Sequence, residues 1–247
     1  MLILGVDSSS AQTSLALGTE HELIAHCEHV DARGHAEAIG AMFRETILPA
    51  LEGRIPDVVV VGVGPGPYSG LRVGIAFAQA LAWAWNIPVV GVCSLDALAL
   101  RVGPREGKFG VASDARRSEI YWATYSAPDR RIAGPEVSRP EDLGQEARSI
   151  TWFGEGLLSE CAQARTDARD VLNLALHAIA SGLFTTEPEP LYITELDAHG
   201  GAGSSTAQAL HGRTILPAQP LYLRHADVTV SPKGTLAHPV AADVEWV

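Results

Sequence analysis

Short apolar runs alternate along this chain with clusters of Gly, Pro and Ser, and their spacing predicts an α/β order. Leu2 to Val6 and Thr13 to Leu17 read as strands joined by Asp7-Ser8-Ser9-Ser10-Ala11-Gln12, and Leu23 to His29 completes a three-stranded meander. After Gly34, the apolar positions Ile39, Met42, Phe43, Ile47 and Leu51 keep helical spacing over His35 to Leu51, with Pro49 ending or bending the last turn. Val58 to Val63 is an apolar run, β-branched everywhere but Gly62, the pattern of a strand covered on both faces. Gly64-Pro65-Gly66-Pro67 can neither extend that strand nor enter a helix interior, so it is a shaped turn. Ser69 is the expected N-cap of a long helix to Ala84 or Trp85, stopped by Asn86 and Pro88. A strand over Val89 to Cys93 and a helix from about Leu95 to Val102 follow.

Beyond a linker at Gly103-Pro104-Arg105-Glu106-Gly107 the opening pattern recurs. Phe109 to Ser113, Glu119 to Tyr125 and Arg131 to Val137 form a second meander, and Asp114 stands at its first hairpin as Asp7 does in the first. This predicts a structural duplication, with one lobe over 1–102 and a second over 103–247. Ile150 to Phe153 is a further strand leading through Gly154-Glu155-Gly156 into a short helix. Asp170 to Ser181 is a helix with Val171, Leu174, Ala175, Ala178 and Ile179 on its apolar face. The stretch from about Glu187 to Thr214 is rich in Gly, Ser and Ala without periodicity, which predicts a mobile insertion. It is bracketed by two similar pieces, Pro190-Leu191-Tyr192-Ile193 and Pro220-Leu221-Tyr222-Leu223.

The long helix after Val63 carries a peculiarity. Gly70, Gly74, Ala78 and Ala82 recur every four residues and make one ridge of minimal side chains. Gly inside a helix costs about 1 kcal/mol relative to Ala, so something must press closely on that ridge. The neighbour is either another element of this chain or a second subunit. A strand, Gly-rich turn and helix also suggest a phosphate loop, but GxxxxGK[ST] is absent and Arg72 is the only nearby cation, which excludes a P-loop.

Composition narrows the function. The 247 residues carry 29 acidic and 18 basic side chains, a net charge of −11. Unaided nucleic-acid binding normally needs a basic face, and none is expected here. Three cysteines without a CxxC pair fit a reducing compartment. MLILGVD lacks a basic leader and reads as a strand, not a signal peptide. A cytoplasmic protein without membrane association is expected.

Candidate chemistry is sparse. Asp7 with Ser8, Ser9 and Ser10 could present a carboxylate and backbone N–H groups to Mg²⁺ and phosphate, or be a plain solvated turn. No HExxH or HxxxH pair occurs. His26 and His29, three apart on a strand, point to opposite faces and read as surface residues. His35 with Glu37 reads as a helix-opening surface feature, and no GxSxG is present. Asp114, Arg116 and Glu119 form either a local ion-pair set or a solvated turn.

Several segments together resemble the TsaB (YeaZ) family of tRNA threonylcarbamoyladenosine biosynthesis: Gly5–Leu17, Gly34–Ile39, Gly64–Ala82, Gly91–Ala99, Asp114–Tyr125 and Pro220–Arg224. Pro67-Tyr68-Ser69 departs from the family's usual residues at that turn. The resemblance implies an actin/sugar-kinase/Hsp70-like, ribonuclease H-like fold of two lobes with mixed sheets and flanking helices. It also implies a non-catalytic subunit that supports a catalytic TsaD-like partner, with a TsaE-like ATPase reached through the complex. That complex transfers threonylcarbamoyl to adenosine 37 of tRNAs reading ANN codons. TsaD holds its metal with an HxxxH motif; Ser94-Leu95-Asp96-Ala97-Leu98 stands at the corresponding place here. The implied partner surface comprises His35, Glu37, Ile39, Met42, Phe43, Ser69, Gly70, Arg72, Val73, Gly74, Phe77 and Ala78, with a homodimer through the same surface when the chain is alone. No tightly bound cofactor is implied, and ATP or ADP only where subunits meet. The competing readings are an actin-like ATPase or kinase using Asp7 and Asp114, and a glycoprotease-type metallopeptidase.

Overall fold

The computed structural model describes residues 1–31, 34–155, 162–163, 165–180 and 215–216. The short helix expected after Gly156, the segment at 187–214 and both Pro-Leu-Tyr pieces lie outside the described residues. Two sheets organise the molecule. The first is built on β1 (Ile3–Asp7), flanked on one side by the antiparallel hairpin of β2 (Gln12–Gly18) and β3 (Leu23–Val30). On its other side lie the parallel strands β4 (Val58–Gly62) and β5 (Val89–Val92). The second repeats that plan around β6 (Phe109–Asp114), with β7 (Ile120–Ala127) and β8 (Arg130–Ser138) antiparallel, and β9 (Thr151–Gly154) and β10 (Ala162–Gln163) parallel. The sheet orders are β11-β5-β4-β1-β2-β3, where β11 is Ile215–Leu216, and β10-β9-β6-β7-β8. The duplicated meander expected from the sequence is therefore present, and the arrangement is the actin-like, ribonuclease H-like one.

Strand alternation sends side chains to two cores. Leu4, Val6, Val59 and Val61 meet the side of the first sheet covered by α1 (His35–Met42) and α3 (Tyr68–Trp85). Ile3, Val58, Val60 and Val90 meet α6 (Ala168–Ala180) on the opposite face, through Val171, Leu172, Leu174 and Ala175. All of Val58–Gly62 is buried, and each fully buried Val is worth about 1.5–3 kcal/mol over an exposed one. Strands β1–β5 precede Val102 and β6–β10 follow it. However, α6, which follows the second sheet in sequence, returns to cover the first, and Ile215–Leu216 pairs with β5.

Two local features depart from the expected helices. After α1 the chain makes a π-helical turn at Phe43–Ile47, where the Leu48 N–H reaches back to the Phe43 carbonyl, before α2 (Leu48–Ala50). Pro49 has no N–H for a regular i→i−4 bond, which accounts for this interruption. At the start of α3 the N-cap is Pro67 and not Ser69; Ser69 lies inside the first turn, and no side chain caps the helix. Its C-terminus is as expected: Asn86 adopts a left-handed conformation, and its N–H returns to Ala82 and Trp83. Between the sheets, α4 (Ser94–Val102) presents Asp96 to the second lobe. There its carboxylate accepts bonds from Arg131 (3.0 Å) and the Tyr125 hydroxyl (2.8 Å). Two short helical turns, Pro140–Asp142 and α5 (Gln145–Arg148), precede β9. No helix among the described residues is long and apolar enough to cross a membrane.

Candidate functional site

Asp7 ends β1, and the Ser8–Ser10 turn that follows is where the sequence points to phosphate or Mg²⁺. Asp7 is 0% exposed. Its carboxylate accepts bonds from the Ser9 N–H (3.0 Å), the Ser9 hydroxyl (2.9 Å) and the Ser94 hydroxyl (3.1 Å). Burial pushes the Asp7 carboxyl up to about 6, against the opposing effect of those bonds from Ser9 and Ser94. The Ser8 hydroxyl donates to the Gly70 carbonyl at 2.8 Å, and the Ser10 hydroxyl accepts from the Gln12 N–H. The turn is therefore neither solvated nor open; its polar groups are engaged by the chain itself.

The element that closes it is the start of α3. A Cβ at Gly66 would lie 2.2 Å from the Ser9 carbonyl oxygen, one at Gly70 2.7 Å from the Ser8 carbonyl oxygen, and one at Gly74 2.2 Å from the Ser8 hydroxyl. The small-residue ridge is thus consumed inside the molecule. Gly70, Gly74, Ala78 and Ala82 are all buried against the first sheet and its turn. This corrects the expectation that Gly70, Gly74 and Ala78 face a partner: their missing side chains make room for Ser8 and β1, 62 residues away for the Ser8–Gly70 bond. His35 and Ile39 are buried as well. The His35 Nδ1 lies 2.6 Å from the Thr13 hydroxyl, and burial holds its imidazole below its usual range.

The outer faces of α1 and α3 carry the remaining expected residues. Glu37, Ser69 and Arg72 are exposed, and Met42, Phe43, Val73 and Phe77 are half-buried. The Arg72 guanidinium lies over the Tyr68 ring and donates to its hydroxyl at 2.9 Å. Phe43 packs edge-on against Phe77 and tilted against Trp85, leaving an aromatic seam between the helices. Trp83, 87% exposed, escapes sequence reasoning, which places a tryptophan in a core or contact by default. Its signal is its position: it sits one residue past the inward ridge position Ala82, on the helix's solvent side. A groove of about 600 Å³ runs beside this surface, rimmed by Asp31, Glu37 and Glu45 around Met42.

In the second lobe, Asp114 lies at the exposed end of its hairpin, accepting from the Arg116 N–H at 2.8 Å and ion-paired with its guanidinium at 3.6 Å. Arg116, Arg117 and Ser118 all have positive φ, a tight left-handed turn. Asp7 is sealed by Ser9 and Ser94 whereas Asp114 faces outward, so the two acids that a kinase-like reading pairs have opposite environments.

A family model described as TsaD: tRNA N6-adenosine threonylcarbamoyltransferase matches residues 26–175. The tRNA threonylcarbamoyladenosine biosynthesis protein TsaB of Escherichia coli is 30% identical over 227 residues, covering 78% of this chain and 94% of that protein. The chain belongs to the TsaB family. An uncharacterized protein of Mycobacterium leprae is 40% identical over 147 residues, 58% of this chain; the match spans only 40% of that relative's length. The solved structure of YeaZ from Pseudomonas aeruginosa superposes with a TM-score of 0.60 at 28% identity, over 76% of this chain and 96% of that one. The likeness thus extends over nearly the whole of that solved relative.

Proposed function

We propose that this chain is a non-catalytic subunit of tRNA N6-threonylcarbamoyladenosine synthesis that binds a TsaD-like catalytic subunit through the outer faces of α1 and α3. Membership of the TsaB family, over 94% of the E. coli protein, carries this reading. The absence of any HxxxH pair from the sequence supports a chain that leaves the metal chemistry to its partner. The partner-facing residues are those the fold leaves outside: Glu37, Met42, Phe43, Ser69, Arg72, Val73 and Phe77, joined by Tyr68 and Trp83. Half-buried aromatic side chains with an exposed Trp are the composition of an interface centre. The acidic groove beside them favours a partner with basic residues at the rim. A TsaE-like ATPase enters through the complex, and ATP or ADP belongs where subunits meet. Closure of the Asp7 turn by α3 weighs against the kinase-like alternative.

The test is co-purification of the tagged chain with the TsaD-like subunit of the same cell. Arg72→Glu together with Trp83→Glu, both on the exposed outer face, should abolish recovery while leaving the thermal midpoint within a few degrees. Undiminished recovery from that variant refutes the assigned surface, and failure of the unaltered chain to recover a TsaD-like protein refutes the partnership.

A further inference from the structure

We propose that His26, Glu28 and Asp167 form a binding site for one divalent transition-metal ion of the Zn²⁺ type. The site is separate from the partner surface and does not rest on the reading above. His26 and Glu28 are two apart on β3, so their side chains leave the same face of the strand. Asp167 comes from the residue just before α6. One ligand atom from each of the three lies within 4.8 Å of the others.

The surrounding residues prepare the three for a cation. The His26 Nε2 lies 3.1 Å from the Asp167 carboxylate. The Gln12 amide donates to both acids, at 2.8 Å to Asp167 and 3.2 Å to Glu28, which draws the two carboxylates together. Asp167 is 1% exposed. Its oxygens accept from the Gln12 amide, the Arg169 N–H and the Arg169 guanidinium. It is therefore a buried oxygen ligand held in place from two elements. In the metal-free arrangement the Arg169 guanidinium supplies the positive charge, 2.9 Å from Asp167 and 4.0 Å from Glu28. Arg169 is 44% exposed and able to swing into solvent, whereas Asp167 is fixed by the Arg169 N–H and Gln12.

One imidazole and two carboxylates make a nitrogen–oxygen donor set, which suits Zn²⁺ better than the all-oxygen preference of Mg²⁺ or Ca²⁺. Zn–N and Zn–O bonds of about 2.0–2.2 Å place tetrahedral ligand atoms roughly 3.3 Å apart. Glu28, 49% exposed, is the ligand free to close the difference. Glu28 and Asp167 line a cavity of about 470 Å³ together with Gln12, Arg101, Glu155, Arg165 and Arg169, so a fourth ligand has access to the site. Water or a small anion would complete the coordination there.

The experiment titrates the tag-free, chelator-stripped full chain with ZnCl2 by calorimetry at pH 7.5, with thermal unfolding in parallel. The expected result is one saturable equivalent and a raised thermal midpoint. Glu28→Gln and His26→Gln should each weaken binding by about tenfold or more, the scale on which metal sites respond to altered ligation. Arg169→Gln removes the competing cation and should tighten binding several-fold, a gain that a misfolded variant would not show. The proposal is overturned if the unaltered chain binds no stoichiometric zinc. It is equally overturned if Glu28→Gln and His26→Gln leave affinity unchanged, which would place the ion on other histidines of the chain.

Discussion

The contact between Ser8 and the ridge of α3 makes a prediction that separates inward packing from an open docking face. Gly74→Ala adds a methyl group 2.2 Å from the Ser8 hydroxyl but 3.2 Å from the Ser8 Cβ and 3.7 Å from its N. The hydroxyl must move away and the Cβ must give by a few tenths of an ångström, and moving the hydroxyl breaks the bond to the Gly70 carbonyl. Losing that buried hydrogen bond costs about 1–3 kcal/mol, while replacing Gly by Ala inside a helix gains about 1 kcal/mol. In the natural Ser8 background, Gly74→Ala should therefore be neutral to destabilising, by about 0–2 kcal/mol. With Ser8→Ala already present, the nearest obstructing atom is gone and only the 3.2 Å approach to Cβ remains, so the same change should stabilise by up to about 1 kcal/mol. The double-mutant cycle, read from urea unfolding followed by tryptophan fluorescence, should return a coupling of about 1–3 kcal/mol. Gly70→Ala is the control: its Cβ meets the Ser8 backbone oxygen at 2.7 Å, which Ser8→Ala does not remove, so it should destabilise in both backgrounds. If Gly74→Ala stabilises equally with and without the Ser8→Ala change, the ridge is not pressed on the turn and the inward assignment is wrong.

Two further expectations rest on buried charge. Asp7 titrates at about 6 in the folded protein because burial disfavours its charge, against about 3.9 in an unfolded chain. The folded state thus holds that proton more tightly, so the stabilising contribution is full below about pH 4 and is lost as pH rises through about 6. A difference of about two pH units is worth about 3 kcal/mol. Asp7→Asn should accordingly exceed the unaltered chain in stability at about pH 7.5 by up to that amount, and the gap should close near pH ~4; a pH-independent gap in denaturant midpoints contradicts the assignment. At the junction of the lobes, Arg131→Met should cost about 3–5 kcal/mol by leaving the Asp96 carboxylate buried beside Tyr125 without its cation. Adding Asp96→Asn should recover much of that loss, and thermal unfolding of the single and double variants reads both.

Much of the scaffold was legible in the sequence because strand burial and hairpin chemistry are local signals. The valine run at Val58–Val61 and the two Asp-bearing meanders carried the central strands of both sheets to within a residue or two at their ends, whereas the two-residue edge strands Ala162–Gln163 and Ile215–Leu216 left no pattern to read. What was not legible depended on residues far apart in the chain. The apolar face of α6 was readable from Val171, Leu174, Ala175 and Ala178, but not that it covers the first sheet, because periodicity shows a face and not its partner. His26, weighed against His29, reads as a surface residue; its partner is Asp167, 141 positions later, and the informative local spacing is the two-residue step to Glu28. The N-cap was misplaced because Ser69 fits the preference for hydroxyl caps, whereas Pro67, in extended conformation, already sets the turn.

The Asp7 turn and the small-residue ridge are two separate puzzles in the sequence, one suggesting phosphate and the other a subunit. In the fold they are one contact. The helix start that lacks side chains fits over a turn whose hydroxyls and carbonyls need partners, and each supplies the other's close neighbour. This has a consequence for how the molecule can pair. α3 spends its inner stripe of Gly70, Gly74, Ala78 and Ala82 on the first sheet and turns Tyr68, Arg72 and Trp83 outward. Inner substitutions should therefore act first on folding stability and only through it on complex formation, whereas outer ones should act on association alone. A partner that lost affinity for the Gly74→Ala chain in proportion to its stability, yet lost all affinity for an outer-face variant of unchanged stability, would behave as this division of the helix requires.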